Sequence, residues 1–208
     1  MHTFRVCKEP SSSFSEKHLK IIRWLSHIND EEEVDWYVDT QLDDFYDMDE
    51  EDYGGPRMLP LIELPNKVLA AYLYVKIKHL RSLGIKSSVS NKYLFESLPK
   101  DTNIPNLLEA LDILIDEVAA ATDKERSNLN IVLKETAKMR MAIDICNNKH
   151  LLIEKEAQRM VNEGYSLKTR EENALKKLRA ISKKNEWTLS LTEGNRDNEE
   201  YLQLTYTL

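Results

Sequence analysis

Several things are scarce in this 208-residue sequence, and each scarcity excludes something. There are two cysteines, Cys7 and Cys146, far apart in the chain. Two such residues make neither a disulfide framework nor a metal-binding pair, so a reducing, intracellular setting is expected, cytoplasmic or nuclear. Gly and Pro number five and six. Few tight turns can be built from so little of either, which disfavours all-β architectures. No apolar run comes near the about 20 residues that span a bilayer. The first residues, Met-His-Thr-Phe-Arg-Val-Cys-Lys, hold no apolar stretch of the signal-peptide kind. No Gly-rich phosphate loop, nucleophile elbow or His-Glu-x-x-His motif occurs either.

The most local scarcity is of positive charge. Between Asp30 and Asp52 stand thirteen acidic residues and no Lys or Arg. The whole chain has net charge −7, from 29 basic and 36 acidic residues. Outside the block, 29 basic residues face 23 acidic ones, so an acidic segment is joined to a basic body. The block also holds Trp36, Tyr37, Phe45 and Tyr46, and Tyr53 follows it directly. Aromatics among carboxylates suit a mobile segment that anchors on a partner's basic surface. Trp36, Tyr37, Asp43, Asp44, Phe45 and Tyr46 are the expected partner-binding residues. A calcium loop beginning at Asp47 fails, because Asp52 stands where Gly is needed and Met58 where a bidentate acid is needed.

Hydrophobic spacing predicts helices. One runs from Ser12 or Ser13 to His27. Pro65 starts the next, which continues through Asn66 to Leu83 and stops at Gly84. A short one follows from Ser90 to Leu98, and another from about Pro105 to Ala121. From Arg126 to Glu163, Val132, Met139, Ile143, Cys146, Ile153, Ala157 and Met160 fall on three- and four-residue steps once Thr136 and His150 fill the remaining seam positions. That pattern predicts one long helix, interrupted at most at Asn147-Asn148, whose seam (Val132, Met139, Ile143, Ile153) serves helix association. His150 and Glu154 lie one turn apart, but His150 falls on that seam and is expected in the core. The next helix spans Lys168 to Lys184, packed through Ala174, Leu175, Leu178 and Ile181. Alternating residues from Trp187 to Thr192 and from Leu202 to Leu208 then predict a β-hairpin.

Helix, turn, helix and hairpin in that order resemble a winged helix, which lays its second helix in the DNA major groove. On a helical wheel Lys176, Arg179 and Lys183 lie opposite the apolar side, flanked by Lys177 and Lys184. Arg196 sits at the hairpin tip. Residues 124–185 carry fifteen Lys or Arg against eight Asp or Glu. Those six side chains are the expected DNA contacts. The expectation is a mainly α protein with four parts: 1–28, an acidic linker 29–57, a helical core 58–125 and the winged-helix-like unit 126–208. It would be a non-enzymatic regulatory factor in a DNA-linked process, with DNA and a protein as partners and no cofactor, metal or membrane. Two rivals stand beside it: an adaptor or homo-oligomer built on a coiled-coil seam, and an acidic mimic that inhibits a DNA-binding protein.

Overall fold

The computed structural model describes residues 12–28, 30–42, 61, 63–99, 102–120, 128–136, 140–147, 170–196 and 199–208. Helix α1 (Ser12–Ile28) buries Leu19, Ile22 and Leu25, one stripe at helical spacing. Helix α2 (Glu31–Gln41) begins where the Asp30 carboxylate accepts the Glu33 backbone N–H at 3.1 Å. Acidic residues in its first turn match the positive end of the helix dipole. Helix α3 (Lys67–Ser82) is capped in the same way by Asn66, which accepts the Leu69 N–H at 2.9 Å, so Pro65 lies just outside it. Its far end closes through two hydrogen bonds, Ile85 N–H to Leu80 C=O and Gly84 N–H to Arg81 C=O. That closure needs a left-handed residue, and Gly84 supplies it with φ of +81°.

Strand β1 (Lys86–Lys92) leads to helix α4 (Ile104–Ala120) and on to strand β2 (Asn128–Glu135). Because β1 and β2 pair in parallel, a helix-long crossover is required between them, and α4 is that crossover. Strand β3 (Met141–Asn147) returns antiparallel to β2. Helix α5 (Arg170–Asn185) then precedes the hairpin of β4 (Thr188–Arg196) and β5 (Glu199–Thr207). The five strands form one mixed sheet in the order β1-β2-β3-β5-β4. Helices pack against one face, where Val89, Leu129, Ile131, Leu133, Met141, Ile143 and Ile145 are buried. The other face is polar: Ser88 hydrogen-bonds Asn130, and Lys134 pairs with Asp144.

The expected mainly α, winged-helix-like fold is therefore overturned. The hairpin is not a wing beside a helix pair but two strands of a larger sheet, with β5 hydrogen-bonded between β3 and β4. The long helix over 126–163 is also wrong within the described residues, which form β2 and β3 there. Val132 and Ile143 belong to strands, so they form no helical seam. Leu129, Ile131 and Leu133 alternate, and in-register partners Ile145 and Ile143 complete a period-two face. Met139 and Ile153 lie outside the described residues. The short helix expected over Ser90–Leu98 is instead the end of β1 and irregular chain. Part of the supposedly mobile acidic segment is helix α2, whose Val34, Tyr37 and Val38 are buried in the main core, as is Leu42 just beyond it. Asp43, Asp44, Phe45 and Tyr46 lie outside the described residues.

Candidate functional site

The helical layer contains a charged cluster that the sequence reading missed. Lys76 lies in the middle of α3, only 2% exposed. Its Nζ reaches Asp112 at 2.8 Å and Asp116 at 2.6 Å, two carboxylates one turn apart on α4. Arg23 of α1 pairs with Asp112 as well, and the Tyr72 hydroxyl donates to Asp112 at 3.0 Å. Burial alone would raise the Asp112 pKa, but Lys76 and Arg23 overcome it and hold the carboxyl below its ordinary 3.8. Tyr72 is pushed well above its usual range, first by burial and then by the Asp112 charge. A Lys flanked by Leu, Ala, Tyr and Ile within an apolar helix was the available signal, since such a residue is almost never buried without partners.

A second group joins α1, α2 and α3. His18 Nδ1 and the Tyr37 hydroxyl are hydrogen-bonded and buried. Burial lowers the His18 pKa, and Lys17 and Lys78 add to this. The Lys78 ammonium stands 4.8 Å from the centre of the Tyr74 ring. Burial and the neighbouring Arg81 bring its pKa down to about 8. Tyr37 thus faces inward and is not available as an anchor for a partner, whereas Trp36 beside it is 55% exposed.

The third feature is one end of the sheet. Helix α4 links the end of β1 to the start of β2. Register places Asn147, the last residue of β3, opposite Leu129 near the start of β2. Asn128 and the Ser88–Asn130 pair lie near the starts of β1 and β2, on the polar face of the sheet away from the helices. Among the described residues, no three His, Cys, Asp or Glu side chains converge to hold a metal by themselves.

Lys176, Lys177, Arg179, Lys183 and Lys184 are exposed on α5, while Leu178 and Ile181 are buried. Lys177 pairs with Glu109 of α4. Arg196 ends β4 and pairs in register with Glu199. No helix of the described residues is long and apolar enough to cross a membrane.

No family model matches the chain, and no curated protein matches it. Among solved structures it is similar to the catalytic domain of the histidine kinase ThkA in a nucleotide-free form. Identity is 16% and the TM-score 0.45, covering 64% of this chain and 86% of that one. The mycobacterial sensor histidine kinase MprB gives 10% identity and a TM-score of 0.45, over 65% of this chain and 88% of its own. A bacterial phosphotransferase gives 9% and 0.47, over 71% and 70%. At these identities and scores the likeness transfers neither family nor activity. The earlier expectation is corrected by the sheet itself: among the described residues, strands β2 and β3 stand where the helical seam was expected and the hairpin is part of the same sheet, so the readings of a non-enzymatic DNA-linked factor, a coiled-coil adaptor and an acidic DNA mimic are dropped.

Proposed function

We propose that this chain is a nucleotide-binding phosphoryl-transfer module in protein signalling, the class of activity its structural neighbours carry by name. The supporting observation within this chain is the crossover helix α4, whose last turns carry the half-buried Glu117 beside the exposed Asp116. A hard divalent cation such as Mg²⁺ is commonly held by one or two carboxylates together with substrate phosphates, not by an all-protein cage. One carboxylate together with substrate phosphates is within that mode. Glu117 would hold the cation, which would neutralise phosphate charge when bound. The residues of the chain itself would position the phosphates and exclude water. In this reading the partner is a protein that gives or receives the phosphoryl group.

The test is calorimetric titration with a non-hydrolysable ATP analogue, with Mg²⁺ and with chelator. Binding is expected to require Mg²⁺ and to be lost in Glu117→Gln, with the circular dichroism spectrum unchanged. No heat at millimolar nucleotide under either condition would refute the reading.

A further inference from the structure

The acidic and basic parts of this chain lie at opposite ends of its helical layer. Helix α2 packs on α1 and α3, whereas α5 packs on α4. On α2, Glu32, Glu33, Trp36, Asp39 and Thr40 are all exposed, and their three- and four-residue spacing puts them on one face. That helix carries no basic residue. On α5, Lys176, Arg179 and Lys183 share the exposed face, with Lys184 beside them. One molecule therefore presents an acidic edge with a Trp at its centre and, across the layer, a basic edge.

We infer that the acidic α2 edge docks on the basic α5 edge of a second copy, so that molecules associate head to tail. The charges choose the occupant. An acidic face repels nucleic acid and anionic lipid, and a complementary basic face of one helix length is already present on the same chain. Trp36, at the centre of the acidic edge, is 55% exposed. Large aromatics are the usual anchors of protein interfaces, and Trp is the best partner for a Lys or Arg cation over its ring. Because the two edges lie on opposite sides of the helical layer, one contact leaves the other edge of each molecule open, so head-to-tail association continues into a ring or an open chain. It is independent of nucleotide binding, since it does not use Glu117.

Charge exchange tests it. Molar mass is measured by light scattering and sedimentation, on the full chain, across concentration at low and high salt. The Debye length falls from about 10 Å at 0.1 M to about 3 Å at 1 M, so assembly is expected to weaken steeply with salt. The acidic edge is reversed by Glu33→Lys with Asp39→Lys, and the basic edge by Arg179→Glu with Lys183→Glu. Each variant alone is expected to be monomeric, and an equimolar mixture to regain assembly. Trp36→Ala keeps every charge and is expected to weaken association roughly tenfold or more. Thermal melts of each variant report whether it is folded. A wild-type chain that stays monomeric at its highest soluble concentration overturns the inference. Assembly that survives either reversal, or folded variants that fail to rescue each other, also overturns it.

Discussion

Two substitutions that break the same ion pair are expected to differ sharply in cost. Asp112 serves three groups at once: Lys76, Arg23 and the Tyr72 hydroxyl. Asp112→Ala leaves the Lys76 ammonium, 2% exposed, with Asp116 alone, and leaves a fully buried hydroxyl without its acceptor. Removing one partner of a buried pair costs about 3–5 kcal/mol, because the other charge stays buried. In a chain of this size each kcal/mol lowers Tm by about 2–4 °C, so the midpoint should fall by roughly 6–20 °C. Lys76→Met removes the charge instead and fills the site with a side chain of similar length. Asp112 then keeps Arg23 and Tyr72, and the net change should stay within about 1 kcal/mol. Urea unfolding of the three proteins measures both values. Equal losses for the two variants, or a stable Asp112→Ala, would refute the reasoning. Acid gives an independent readout. The Asp112 pKa is lower in the fold than in the unfolded chain, where it is 3.8. Its contribution is therefore complete above 3.8 and declines as pH falls through the lower folded value. Asp112→Asn should flatten that part of the profile.

Three further outcomes are expected. The neutral form of His18 is favoured in the fold, so stability should decline as pH drops below 6.5 towards its lowered value, and His18→Gln should remove that slope in pH-dependent urea midpoints. Gly84→Ala should cost about 1–2 kcal/mol in thermal unfolding, from backbone conformation alone, because a Cβ there meets nothing within 4 Å. Gly84→Asn should recover part of that loss. Ile143 is fully buried beneath the helices, so Ile143→Glu should abolish cooperative unfolding rather than merely alter assembly, while Ile143→Val should cost about 0.5–1.5 kcal/mol in urea titration.

The helices and the hairpin were legible because each declares its own period. Leu19, Ile22 and Leu25 repeat at helical spacing, and so do Leu107, Leu111, Leu114 and Val118. The stop at Gly84 is local chemistry and was read as such, whereas Pro65 was taken as the helix start in place of the Asn66 cap. The first three strands were lost for different reasons. In β1 only Val89 is apolar, since a strand beginning Lys-Ser-Ser and paired on one side needs little more. In β2, Leu129, Ile131 and Leu133 alternate plainly, but Val132 on the polar face supplied a false helical step. In β3, the central strand, Ala142 and Asp144 are buried as well as Met141, Ile143 and Ile145, which erases the alternation. The acidic block misled in the opposite sense. Val34, Tyr37 and Val38 are ordinary core positions at helical spacing, hidden by the charge around them. As for the cluster, its pairs join residues about forty positions apart, Tyr72 and Lys76 to Asp112 and Asp116. Such pairings are fixed by how helices cross, which no local pattern records.

The order of strands in space differs from their order of synthesis. β4 is made before β5 yet lies outside it, and β5 alone connects β4 to the rest of the sheet. While the chain is still emerging from the ribosome, β3 therefore presents one open backbone edge until its final partner arrives. Unpaired edges are where newly made chains pair wrongly with one another. Residues 199–207 act as the closing piece, and a ribosome stalled just before them would hold a half-sheet ready to capture a neighbour.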